Sequence, residues 1–160
     1  MAQVIITDQQ AISESWTMWI RTVLLGVVTG SIFWLLSMIL TRYIVDPLAC
    51  GRLFNAAICY DSAPFSGNIA AILAALGGLV SMVLIGAVRP IVIASAAAAV
   101  LWNLGTWIDG LFWLEAALWS ITLYAGAYAL FAWITRHANL LMTGLLSVLV
   151  VVIIRISLIL

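Results

Sequence analysis

Long uncharged stretches separated by a few charged residues dominate the pattern along this chain. A helix needs roughly 20 apolar residues to cross the hydrocarbon core of a bilayer, which is about 30 Å thick. The run between Arg21 and Arg42 reaches that length without interruption. Together with the later apolar runs it predicts five membrane-spanning helices, over about 22–43, 68–88, 91–107, 111–134 and 139–159.

The third of these runs is short and rich in alanine. It follows Arg89 and Pro90, where proline suits the first turn of a helix, and it ends at the turn signal Asp109-Gly110. Four spans with one re-entrant segment are therefore the alternative to five spans. The runs are about twice as long as barrel strands and do not alternate, so we predict an all-α integral membrane protein, a single transmembrane helical bundle over residues 1–160.

The segment before the first span, residues 1–21, is more polar and predicts an interfacial helix. Thr7 and Gln10 have the spacing of a capping box. The apolar positions that follow fall on one side of a helix: Ile12, Trp16, Trp19 and Ile20. We expect the tryptophans of this helix to lie at the depth of the lipid headgroups.

Composition excludes a soluble globular protein, because 66% of the residues are hydrophobic and 8% are charged. All six basic residues are arginine and they are dispersed, whereas nucleic-acid binding and polybasic lipid-binding segments need clustered cations. The expected partners are therefore the lipid bilayer and either further copies of the chain or other membrane proteins. Nucleic acid is not expected as a partner.

Two cysteines, Cys50 and Cys59, orient the predicted topology. They lie in the longest polar loop, residues 44–67, and a disulfide between them would require an oxidising compartment. We therefore predict a cell-membrane protein with a cytoplasmic N-terminus and with this loop and the C-terminus outside the cytoplasm. The bond would be a structural staple; a redox-active pair is the alternative, although the spacing is not the CxxC of catalytic dithiols.

Two charged residues fall inside predicted spans, Glu115 in the fourth and Arg155 in the fifth. Both lie about one turn from the outer face, and a salt bridge between them would reduce the cost of placing charge in a bilayer. The alternative is a polar site that opens to the outer face, with Asp109 and Asn103 near its mouth. Such a site would bind a cation or a small polar solute.

Small residues at four-residue spacing predict close contacts between helices. Gly26 and Gly30 form a GxxxG pattern in the first span. The partner helix can belong to the same chain or to a second one.

No motif of a known catalytic type is found in the sequence: phosphate-binding glycine loops, HExxH, GxSxG and paired intramembrane aspartates are absent. We predict a protein without catalytic activity, cofactor or metal. The leading hypothesis is a small polytopic protein acting as a homo-oligomer or as an accessory subunit of a membrane assembly. The alternative is a small-solute or ion transporter or channel with a polar site near Glu115 and Arg155.

Overall fold

A computed structural model of the chain describes residues 2–50, 62–87, 89–137 and 139–159, and these residues form a bundle of helices. The first helix continues directly into a π-helical segment, and a four-residue helix follows the third helix after a short break. The elements are α1 (Ala2–Ile39), the π segment (Leu40–Cys50), α2 (Ser62–Leu84), α3 (Pro90–Val100), α4 (Leu104–Trp107), α5 (Trp113–His137) and α6 (Leu140–Ile159).

Three helical stretches are long and apolar enough to cross a membrane: Trp16–Leu48, Pro64–Leu84 and Trp113–Arg136. Two shorter apolar helices, Pro90–Val100 and Leu141–Ile156, accompany them. The prediction of a helical chain with several apolar helices suited to a membrane is thus confirmed. Helix length and composition identify three such helices in the described part of the chain, compared with the five that the sequence pattern predicts.

Helix α1 extends over 38 residues and includes the segment predicted as an interfacial helix. Residues 2–21 and the predicted first span are parts of one continuous helix, about 57 Å long at 1.5 Å per residue. Helices also cover parts of the predicted loop over 44–67. Helical structure reaches Cys50 on one side and resumes at Ser62 on the other.

The closest helix crossing joins α1 to α5. A Cβ atom built on Gly26 would lie 3.0 Å from the carbonyl oxygen of Tyr124, and one built on Gly30 would lie 2.8 Å from that of Ser120. Because the later residue of α1 faces the earlier residue of α5, the two helices are antiparallel. The glycine pair predicted to pack against a helix therefore lies against a helix of the same chain.

Contacts near the helix ends fix the directions of the other elements. Gly67, near the start of α2, lies against Gly105 of α4, where a Cβ atom on Gly67 would meet the Gly105 Cα at 2.9 Å. At the opposite end the guanidinium of Arg89 donates a hydrogen bond to the hydroxyl of Thr143, in the first turn of α6. We call these two ends of the bundle the Asp109 end and the Arg89 end. The chain from Pro90 to Gly105 thus passes from one end to the other.

The interior of the bundle is built from alanine and aromatic side chains, and its exterior from large aliphatic ones. Phe33, Tyr124, Tyr128 and Phe131 are almost completely buried. Many leucine, isoleucine and valine side chains face outward. An apolar exterior around small interior residues suits a bundle surrounded by lipid, where close approach of helices provides the packing energy.

Candidate functional site

The chain between α3 and α4 forms a break in what the sequence predicts as one span. Helix α3 contains 11 residues, about 16 Å of helix, which is roughly half the thickness of a bilayer core. Asn103 then adopts a left-handed conformation with φ of 66°, and α4 adds four residues. Asparagine tolerates this conformation better than most residues, and the hydroxyl of Thr106 donates a 2.7 Å hydrogen bond to the Asn103 carbonyl. The predicted third span is therefore a discontinuous helix.

Arg155 of α6 donates hydrogen bonds to backbone carbonyl groups at this break. Its Nε and Nη2 atoms donate hydrogen bonds of 3.0 and 2.9 Å to the carbonyl oxygen of Ala99. Nη2 also donates a 2.9 Å bond to the carbonyl oxygen of Trp102. The last carbonyls of a helix lack intrahelical partners and carry partial negative charge, so a guanidinium is well suited to this position.

The salt bridge expected between Glu115 and Arg155 is not formed. Glu115 lies in the first turn of α5, is exposed, and has no hydrogen bond or ion pair with any other described residue. An acidic residue near a helix N-terminus is favoured by the helix dipole without a specific partner. Glu115 is therefore stabilised by the dipole of α5, and Arg155 by its hydrogen bonds to backbone carbonyls.

A cavity of about 280 Å³ lies at the Asp109 end. It is open to the surface and bordered by the end of α1, the π segment, α4 with the turn that follows it, and the first part of α5. The residues that line it are Trp34, Ser37, Met38, Thr41, Arg42, Asp46, Gly105, Ile108, Asp109 and Ala116.

Three charged side chains line this cavity: Arg42, Asp46 and Asp109. None of the three forms an ion pair or hydrogen bond with another described residue. One guanidinium and two carboxylates give the lining a formal charge of −1. Charged groups that line a cavity without partners among the described residues are available to a ligand.

An aromatic side chain forms part of the same cavity. Trp34 lines it, and the centroid of the Trp34 ring is 6.4 Å from that of Trp113 at the start of α5. The hydroxyl of Thr41, another lining residue, is hydrogen-bonded to the hydroxyl of Ser66 on α2. These contacts connect the cavity wall to the starts of two other helices.

The structure separates the four residues of the predicted polar site. Asp109 lines the cavity, Asn103 and Arg155 lie at the break between α3 and α4, and Glu115 is exposed on α5.

Sequence reasoning missed Arg42 and Asp46, although their four-residue spacing next to the end of the first apolar run is a signal that could have identified them. The predicted disulfide lies outside the described part of the structure, because neither the Cys50 side chain nor Cys59 is described. Comparisons of this chain with protein-family models, curated proteins and solved structures find no match.

Proposed function

We propose that this chain is a non-catalytic membrane protein that binds a small, positively charged solute in the cavity at the Asp109 end, as a transporter or channel does. The observation that carries this proposal is the placement of Arg42, Asp46 and Asp109 around one cavity without partners among the described residues. The volume of about 280 Å³ is slightly below the range of roughly 300–1,000 Å³ for drug-sized ligands, which favours a small solute.

The chemistry of the cavity lining favours a cation. Two carboxylates outweigh one guanidinium, and the ring of Trp34 offers an aromatic face of the kind that attracts organic ammonium groups. The guanidinium of Arg42 would at the same time attract a negatively charged group on the same solute. Small ammonium ions and zwitterions with an exposed ammonium group are therefore the proposed solute class.

The leading hypothesis from the sequence, a homo-oligomer or a subunit of a larger assembly, receives less support from the packing. The glycine pair Gly26 and Gly30, one of the small-residue patterns that a partner helix could use, packs against α5. Other small residues with the same helical spacing, including Ala70, Ala74 and Ala94, are buried within the chain. These faces are therefore not available for a partner chain.

The proposed topology has five crossings, with the discontinuous unit formed by α3 and α4 as the third. Helix α6, with 20 residues, is about 30 Å long and matches the bilayer core. Discontinuous helices at solute sites are common in transporters. In this proposal the N-terminus is cytoplasmic, the Asp109 end faces outward, and Cys50 and Cys59 form a disulfide at that end.

Replacing Asp109 by asparagine should weaken cation binding about tenfold, which corresponds to about 1.4 kcal/mol, because a carboxylate of the cavity loses its charge. The measurement is the shift in melting temperature of the detergent-solubilised protein on addition of tetramethylammonium, followed by uptake of the same ion into proteoliposomes. Acetate serves as the anionic comparison and should not stabilise the protein.

Glu115→Gln is the matched control for this experiment. It removes the same charge at the same end of the bundle, next to the lining residue Ala116, but Glu115 does not itself line the cavity. It should leave the response to tetramethylammonium unchanged. Equal responses of both variants and the unchanged protein, or no response to any cation, would refute the proposed solute site.

Single reporter cysteines test the five-crossing topology. With Cys50 and Cys59 replaced by serine, a cysteine at Asp109 should react with an impermeant maleimide added outside intact cells. Cysteines at Arg89 and Arg136 should be protected until the cells are opened. If the Arg89 and Asp109 positions reacted alike, the unit formed by α3 and α4 would be a re-entrant segment.

A further inference from the structure

A second cavity, distinct from the charged one, is an apolar cleft of about 430 Å³ between α3 and α6. It is lined by Ile91, Val92, Ser95, Ala96, Ala99, Gly144, Ser147, Val148, Val151 and Val152. The small residues keep it open: a Cβ atom built on Gly144 would have no neighbour within 4 Å. The cleft therefore has room for an elongated apolar group.

Arg155 lies at one end of this cleft. The carbonyl of Ala99, a lining residue, accepts hydrogen bonds from its guanidinium. The three bonds to Ala99 and Trp102 use Nε and Nη2, and no described residue accepts a hydrogen bond from the two N–H donors of Nη1. Neither α3 nor α6 contains an acidic residue, so an anion at this position meets no repelling carboxylate on the two helices that form the cleft.

The dimensions and depth of the cleft match one leaflet of a bilayer. From Gly144 to Arg155 the helix rises about 16 Å, close to half of the ~30 Å hydrocarbon core. Trp102, whose carbonyl binds Arg155, is 39% exposed. Outward-facing tryptophans concentrate at headgroup depth, which is where a lipid phosphate lies.

We propose that Arg155 and the cleft between α3 and α6 bind one anionic phospholipid, with the phosphate at Nη1 of Arg155 and an acyl chain in the cleft. An N–H donor of Nη1 suits a phosphate oxygen, because a hydrogen bond between two charged groups is stronger than a neutral one. The inference rests on the proposed topology to the extent that α3 and α6 must lie in the bilayer. It does not depend on solute binding at the Asp109 end.

Filling the cleft tests this proposal. The probe is phosphatidylglycerol, added to the delipidated full-length protein in detergent and counted as retained lipid by native mass spectrometry, with phosphatidylcholine as the uncharged-headgroup comparison. The unchanged protein should retain one phosphatidylglycerol in preference to phosphatidylcholine. Gly144→Leu should reduce that retention at least tenfold, because the leucine side chain occupies the space of the acyl chain.

Gly126→Leu is the matched control, since Gly126 is an exposed glycine of α5 that also has no neighbour within 4 Å of a Cβ atom and lies outside the cleft. It should retain phosphatidylglycerol normally. Val148→Phe, at an outward-facing lining residue, provides a second variant if Gly144→Leu does not fold.

Further results separate the lipid from other occupants. Inorganic phosphate should not replace phosphatidylglycerol, because it lacks the acyl chain. Equal retention of both lipids overturns the proposal, and so does normal retention of phosphatidylglycerol by Gly144→Leu and Val148→Phe. If the unchanged protein is a dimer and these variants are monomers, a second copy of the chain occupies the cleft and the proposal is also overturned. Asp109→Asn should retain the lipid, so a failure of the solute proposal can be told apart from a failure of this one.

Discussion

Gly30→Ala is expected to lower the free energy of unfolding by about 1–3 kcal/mol, the usual cost of overpacking a well-packed interior. The added Cβ atom would lie 2.8 Å from both the Ile121 Cα and the Ser120 carbonyl oxygen. Both are backbone atoms, so no side-chain rotation can relieve the contact. The helices α1 and α5 must move apart instead, which loosens the closest crossing in the bundle.

The same substitution at Gly126 is the control. Gly126 lies in the same helix as the partner residues of Gly30, but faces open space. Alanine there should be neutral or should stabilise the helix by about 0.5–1 kcal/mol through its better helix propensity. Reversible unfolding in mixed detergent micelles would measure both changes. Equal stabilities of Gly30→Ala and Gly126→Ala would contradict the close packing of α1 on α5.

Arg155→Gln is expected to lower the free energy of unfolding by about 1.5–3 kcal/mol, the range for a hydrogen bond to a charged group. Glutamine is shorter and cannot make the three bonds that Arg155 donates to the carbonyls of Ala99 and Trp102. These carbonyls lie at the break after α3, where the last carbonyls of a helix lack intrahelical partners. The effect should be measured by the same unfolding experiment, in detergent without added phospholipid.

Arg21→Gln is the matched control, because Arg21 is exposed on α1 and makes no hydrogen bond or ion pair within the described residues. It should change stability by less than about 0.5 kcal/mol, as is usual for surface substitutions. A double-mutant cycle between Arg155→Gln and Glu115→Gln distinguishes backbone capping from the salt bridge that the sequence suggests. A coupling energy near zero is expected. A coupling energy above about 0.5 kcal/mol would indicate that Glu115 and Arg155 interact as a salt bridge.

The helical class could be predicted because it depends on properties that are local in sequence. Apolar runs such as the one from Arg21 to Arg42 must satisfy their backbone hydrogen bonds internally, and a helix does so without any knowledge of its neighbours. The glycine spacing at Gly26 and Gly30 also indicated a close crossing. It could not name the partner, since any helix with a suitable surface can pack against such a pair.

The polar site was predicted in part. Asp109 is a candidate from the sequence because it marks a turn near the mouth of the expected polar site, and it lines the charged cavity. Glu115 was grouped with Arg155 on the basis of depth alone, which says nothing about the rotation of each helix about its axis. The apolar pattern does not single out Arg42 and Asp46, which lie at the end of the predicted first span, because their approach to Asp109 depends on the path of the chain along α2 and α3.

The sequence alone determined that this chain is helical, apolar on its exterior and suited to a membrane, because composition and run length act on each segment separately. Only the tertiary structure decided where each charge lies. The break after Val100 brings the carbonyls of Ala99 and Trp102 within hydrogen-bond distance of Arg155. The crossing of α1 on α5 places the end of α1 and the start of α5 beside the charged cavity. Such contacts join residues more than 50 positions apart, so no local pattern specifies them.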